Sequence, residues 1–301
     1  VVDPRNLSNE LDDFILAMQE PNSNPSGLSM NSLYRSISKE NYRLVLTGDG
    51  SDEIFGGYPR YSNLKKIPNI LHISDRGEKY INKIAVKFRF KMLDKFLVTQ
   101  TNKLSSSKWL YWHQNMYERE IINNFKFISD SEIQNSHKNL IFTIRKIEKE
   151  NSIKTMMSRD LNIWLNMESN RKLDRISMFH SIEARSPFQD ERVINAAERN
   201  MSKTEYRVLN KKILLNEFPE ILKFGIRPDK AGFISPIGHW LRRNPNLVTR
   251  QISFIKQTNL INKEYLRMLE KSPFEKNFHN IKSLWTIIVL SRWLEIFDVK
   301  I

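Results

Sequence analysis

Apolar residues recur at two periods along the first fifty positions. In "SNELDDFILAMQ" (8–19) they fall about one helical turn apart, and Glu and Asp crowd the first turn. That pattern predicts an amphipathic helix with Ser8 as its N-cap. "EPNSNPSG" (20–27) breaks the pattern with Pro, Asn, Ser and Gly and reads as a loop. "SMNSLYRSIS" (29–38) resumes helical spacing. "YRLVL" (42–46) is a short apolar run, as expected of a strand in a sheet covered on both faces. It leads into "TGDGSDE" and then a third helix start from about Asp52. Helix, strand, glycine-rich turn and helix together predict an α/β fold.

Beyond residue 61 the strand signals fade and helical spacing dominates. "SRDLNIWLNMESNRKLDRISMFHSIEAR" (158–185) carries Leu161, Trp164, Leu165, Leu173, Ile176 and Phe179 near that spacing, and Ser186-Pro187 stops it. Asp190 can cap "ERVINAAERN", with Val193, Ile194 and Ala197 facing a core. "NKKILLNEF" (210–218) and "IKSLWTIIVLSRWLEIF" (281–297) predict two further helices, whereas "FGIRPDKAGFISPIGHW" (224–240), with three glycines and two prolines, predicts a loop. The expected organisation is an α/β piece over 1–62 and a mainly helical remainder over 63–301.

Composition narrows the function classes. The 301 residues have 40% hydrophobic and 11% aromatic content, which suits a globular chain with a sizeable core. No apolar run reaches the ~18–20 residues of a membrane span, and no basic-then-apolar leader opens the chain. With no cysteine, disulfides, thiolate metal sites and cysteine nucleophiles are excluded within these residues. A cytoplasmic location is the expectation. The net charge of +14 invites a nucleic-acid reading, but the basic residues are scattered. Segment sums of about −4 (1–60), +8 (61–150) and +10 (151–301) show that the charge is uneven along the chain.

Asp49, Asp52 and Glu53 stand within five positions, directly after the predicted strand. Ligands in open α/β sheets collect there, beyond the C-terminal strand ends. Gly48 and Gly50 let the backbone bend close to a ligand, and the three acids offer the hard oxygens that Mg²⁺ takes. A plain Gly/Asp turn with capping acids accounts for one of these acids, but not for three between two pairs of glycines. Lys230, in "RPDKAGF", could close over a reacting phosphoryl or acyl group. Asp174, Arg175, Glu183, Arg185 and Asp190 lie among apolar residues, an arrangement expected of a paired network. His180, with no triad or ligand pattern around it, is expected to be a satisfied rim histidine.

"LTGDGSDEIFGGYPRY", "LDRISMFHSIEARSPFQD" and "RPDKAGFISPIGHWL", in this order, resemble the synthetase domain of the glutamine-hydrolysing asparagine synthetase family. The resemblance implies an ATP-pyrophosphatase-type doubly wound parallel sheet, partial here, with a large helical C-terminal extension. It implies that ATP adenylylates a small carboxylate, with aspartate as the first candidate, and that ammonia from a glutaminase domain attacks the acyl-adenylate. By motif position, Thr47, Gly48 and Gly50 would contact ATP, Asp52 would be a Mg²⁺ ligand, Lys230 would stabilise the departing pyrophosphate, and Asp49 would sit near the acyl-adenylate. Many family members have Glu at the position of Asp49. The family's S-G-G-x-D-S pyrophosphate loop and its N-terminal cysteine are not in these residues, so the chain reads as the C-terminal part of a longer protein. A homodimer is compatible with this reading. Related ligases with another acceptor, such as β-lactam or lasso-peptide cyclases, share the motifs, and a non-catalytic paralogue is the reading from another class.

Overall fold

In the computed structural model, the residues described are 4–59, 61, 113, 115–116, 118–126, 131–132, 135, 139, 153–203, 211–224, 235–274 and 278–299. Among them the fold is mixed α/β, mostly helical, with a small parallel sheet. The elements used below are α1 (Leu7–Met18), α2 (Ser26–Lys39), β1 (Leu44–Leu46), α3 (Ser51–Ile54) and α4 (Glu118–Asn124). Then come α5 (Ile153–Arg159), a π-helical segment (Asp160–Asn170), α6 (Arg171–Phe179), β2 (Glu183–Arg185) and α7 (Glu191–Lys203). They close with α8 (Lys212–Glu217), α9 (Ile237–Arg243), α10 (Pro245–Gln257), α11 (Lys263–Glu270) and α12 (Phe278–Ile296).

The main core joins the two ends of the chain. Leu7, Leu11, Phe14 and Ile15 of α1 share one buried cluster with Trp240, Ile252, Leu266 and, from α12, Leu284, Trp285 and Ile288. Trp285 is wholly buried; its indole donates to the Ser23 carbonyl at 3.1 Å, which spares the polar edge a desolvation cost. Around the rim, Arg292 of α12 donates to both carboxylate oxygens of Asp12 at 2.6 Å, a bidentate pair tying α12 to α1. The helix expected from residue 158 starts further back, at Ile153, and runs without a break to Phe179, but its middle part, the 11 residues Asp160–Asn170, is π-helical. That widened stretch carries no sequence signal of its own.

Three local expectations are corrected. Ser8 is not the N-cap of α1: the cap position is Asn6, and Ser8 lies within the first turn. The 158–185 helix ends at Phe179. Ser181 turns the chain at φ 56°, and Glu183–Arg185 pairs as β2 with β1 in parallel register, Val45 opposite Ala184. Helical periodicity missed this because the strand's partner lies about 140 residues away, and pairing with an open strand edge outweighs local propensity. Finally, the sheet is covered on one face within the described residues. Val45 and Ala184 face the core, while Leu44 and Leu46 are 51% and 68% exposed on the other side.

The expectations for Asp190 and the helix after it hold. Asp190 opens α7, its carboxylate accepting from the Arg192 backbone N–H at 2.9 Å. Ala197 is buried with Ile54 and Phe55, and Val193 and Ile194 pack against that satellite cluster. No described helix is long and apolar enough to cross a membrane. Lys230 and the 81–91 stretch lie outside the described residues.

Candidate active site

The turn after β1 is held from two sides. Thr47 extends the strand pairing by one bond, its N–H reaching the Arg185 carbonyl at 2.8 Å, and its hydroxyl meets that of Ser186 at 2.9 Å. Gly50 adopts φ 93°, a conformation that strains any residue with a side chain. A Cβ there would stand 2.7 Å from Cγ of Gln189, so the glycine also admits that side chain. α3 then starts at Ser51 and is seated by Ile54 and Phe55, the latter edge-on to Phe188 at 6.1 Å.

A cavity of about 220 Å³ opens at this turn, lined by Gly48, Asp49, Gly50, Asp52, Glu53, Tyr58 and Ser169. It stands beyond the C-terminal end of β1, where α/β sheets place their ligands. Of the residues singled out from the sequence, Gly48, Asp49, Gly50, Asp52 and Glu53 meet on its wall. Thr47 stands one residue before, bound to Ser186.

The three neighbouring acids go three ways. Asp49 accepts from the Ser169 hydroxyl at 3.1 Å. Asp52 pairs with the ammonium of Lys211 at 3.0 Å. Lys211 also donates to the Ser51 hydroxyl at 2.8 Å, and its backbone N–H reaches the Phe55 carbonyl at 3.1 Å. Gly57 makes room for this pair, because a Cβ at Gly57 would meet Oδ1 of Asp52 at 1.8 Å and Cε of Lys211 at 2.7 Å. Glu53 is only 4% exposed and accepts from the Tyr58 hydroxyl at 2.6 Å. Burial pushes its carboxyl above the usual range, further raised by the charges of Asp52 and Asp160, while the Tyr58 bond works the other way.

A second layer of buried polar groups stands behind the cavity. Asp160, fully buried at the start of the π-helical segment, accepts from the Tyr61 hydroxyl at 2.5 Å and lies 3.2 Å from Nε2 of His113. On the same continuous helix, Lys172 is buried, donates to the Ser26 hydroxyl at 3.0 Å and stands 3.7 Å from Glu168. Burial lowers the pKa of Lys172, and the charges of Glu168 and Asp49 oppose that shift. Glu168 in turn accepts from Asn22 at 3.1 Å and Asn24 at 2.7 Å, so the 20–27 loop is fastened to this wall.

Sequence reasoning missed Lys211, Ser169, Asp160 and Lys172. The two tyrosines of "GGYPRY" were a usable signal, since a tyrosine hydroxyl next to a buried carboxylate is how such an acid is satisfied. Lys211 gave none: it is one of 48 basic residues. The charged residues of 172–190 do not form one network. Arg175 lies 3.7 Å from Glu20, Glu183 pairs with Arg185 on the exposed sheet face, and Asp190 holds Arg192 at 2.8 Å. His180 is satisfied, its Nε2 lying 2.8 Å from Oδ1 of the Asn31 side chain.

Among the described residues no three His, Cys, Asp or Glu side chains converge as a metal cage. The Asp52 carboxylate nonetheless faces a cation in this fold and borders the cavity. One such carboxylate suits Mg²⁺, which usually takes one or two from the protein and the rest of its ligands from water and phosphate.

The sequence model of the asparagine synthase family matches residues 1–295. The chain belongs to that family. It is 24% identical over 310 residues to asparagine synthetase [glutamine-hydrolyzing] 1 of Bacillus subtilis (strain 168), a match taking in 97% of this chain and 46% of that protein. Putative glutamine-hydrolyzing asparagine synthetases of Mycobacterium bovis and Mycobacterium tuberculosis are 23% identical over 297 residues, covering 95% of this chain and 44% of theirs. The chain therefore spans about half the length of the curated relatives it matches.

Proposed function

We propose that this chain carries the C-terminal part of an ATP-dependent amide-forming ligase. A carboxylate oxygen attacks the α-phosphorus of ATP and pyrophosphate leaves. Ammonia released from glutamine then attacks the acyl carbon, loses a proton and expels AMP. The carrying observation is the cavity on the C-terminal side of β1, where Gly48, Asp49 and Asp52 converge in a chain matched to the asparagine synthase family along its length. At about 220 Å³ it is smaller than the ~300–1,000 Å³ typical of whole-ligand pockets, as suits the reacting end of a nucleotide rather than all of it.

In this reading Thr47, Gly48 and Gly50 bind the adenylate through their backbone, as a glycine turn ahead of a helix start can. Asp49 sits near the amine and the acyl-adenylate, where an acceptor-only carboxylate can take N–H donors of the substrate and so align its reacting end, and Asp52 would hold Mg²⁺. The metal would neutralise charge on the leaving pyrophosphate. The ion pair with Lys211 at 3.0 Å borders the same carboxylate with positive charge. Lys230 would supply positive charge to the transition state. The nitrogen would come from a glutaminase domain or subunit, in keeping with relatives whose names call them glutamine-hydrolyzing.

ATP–pyrophosphate exchange by the complete protein, dependent on Mg²⁺ and on one carboxylic acid, tests the reading. Lys230→Ala should cut exchange by two to three orders of magnitude, about the value of one oxyanion-type donor; unchanged exchange refutes the role. Asp52→Asn should raise the Mg²⁺ requirement, and an effect confined to carboxylate affinity counts against the metal assignment. L-aspartate, other amino acids and sugar carboxylates would form the substrate panel. Exchange with an acid other than aspartate favours a related ligase, and its absence with every acid favours a non-catalytic paralogue.

A further inference from the structure

The end of the π-helical segment grips the turn that carries Asp49. Ser169 donates its hydroxyl to the Asp49 carboxylate at 3.1 Å and itself lines the cavity. The next residue, Asn170, exchanges two amide hydrogen bonds with Gln189, at 2.7 and 2.9 Å. The cyclic pair fixes the Gln189 amide over Gly50, where only a glycine leaves room, with its nitrogen 3.5 Å from the Asp49 carbonyl. π-helical stretches are mostly single turns and frequent at functional sites, so eleven residues ending on this contact are unusual.

We propose that Ser169, Asn170 and Gln189 form a positioning clamp for Asp49, which sets where the reacting carboxylate lies relative to the nucleotide. Ser169 fixes the Asp49 side chain, and the Asn170–Gln189 pair fixes its backbone through Gly50. None of the three supplies a proton or a charge. Their effect falls on the carboxylate and its alignment; the mean position of the ATP-binding backbone keeps anchors of its own, since the Thr47 N–H bonds the Arg185 carbonyl and the Gly48 and Gly50 carbonyls accept from the Ser51 and Ile54 N–H groups. The catalytic meaning of the clamp rests on the reading of Asp49 given above; its mechanical action does not.

Two measurements on the complete protein separate these. Amide hydrogen exchange at Ser51, whose N–H closes the turn onto the Gly48 carbonyl at 3.2 Å, should speed up in Ser169→Ala and Gln189→Ala, and stay at the wild-type rate in Met167→Ala, an exposed position on the same segment. Unchanged exchange in both clamp variants overturns the proposal. In ATP–pyrophosphate exchange with L-aspartate, or with whichever acid of the panel supports it, both variants should lose about tenfold in kcat/KM for the acid, in line with small misplacements. KM for ATP should stay within about twofold, and Ser169→Thr should restore most of the loss. Parallel rises in KM for acid and ATP, or no rescue by threonine, overturn the positioning role. If the wild type exchanges with no acid, the functional reading falls, and the amide measurement still decides whether the clamp exists.

Discussion

The chain has two interiors built on opposite terms. The core around α1 and α12 is apolar, and its polar atoms are tied off at the rim by Arg292–Asp12 and Arg35–Glu10. The wall behind the cavity buries Glu53, Asp160, Arg159 and Lys172 within a few elements of one another. Burial holds Arg159 down to about 10 and lowers Lys172, while it raises Glu53. A fold stabilised mainly by apolar packing can carry such a region, because the core supplies the free energy that desolvated charges cost. Buried ionisable groups beside a cavity are therefore a functional signal here.

The sharpest way to break the comparison is to attack each interior by its own term. Trp285→Ala should cost about 3–5 kcal/mol, as large aromatic truncations in packed cores do, measured by urea unfolding. Its loss should lower stability without changing exchange kinetics of the folded fraction. On the cavity side, Tyr61→Phe removes a donor from the buried Asp160 carboxylate and should cost about 1–3 kcal/mol, the range for a buried polar group left short of a partner. A cost near that of an exposed tyrosine would show that Asp160 is satisfied without it.

Glu53→Gln probes the same wall through pH. The folded-state pKa of Glu53 lies above its ordinary 4.5, so its neutral form favours folding at acid pH and that contribution is lost as pH rises through the raised value. The Tm of the Gln variant should therefore gain on the wild type across a window opening near 4.5, since Gln retains an acceptor for Tyr58 and carries no charge to desolvate. A difference flat with pH would place Glu53 in contact with solvent. The smallest effect belongs to Ser8→Ala. A serine cap would cost about 1 kcal/mol when removed, but Ser8 lies inside α1, so the change should be within about 0.5 kcal/mol of zero by thermal unfolding.

Much of the element order was legible in the residues. Helical spacing located α1, α2 and α7, each of which buries one stripe, and a long apolar run located α12, which is buried on nearly all sides. The short apolar run located β1, and Gly48 to Glu53 marked the turn that borders the cavity. What periodicity could not show was β2, whose three residues sit in a chain of helical spacing and become a strand only beside β1. The same holds for the π-helical stretch, since a change from one helical register to another leaves the residue types unchanged.

By itself the sequence determined the acidic glycine turn after a strand, the apolar faces of the helices and the family motifs, because these depend on residue type and near-neighbour spacing. Tertiary structure alone decided that Asp49 answers to Ser169, Asp52 to Lys211 and Glu53 to Tyr58, and that Asp160 is buried against Tyr61. Three of these four contacts join residues about 100 to 160 positions apart. Short-range spacing carries no record of which surfaces meet across that distance; the packing of the 153–179 helix against the strand turn brings Ser169 and Asp160 there.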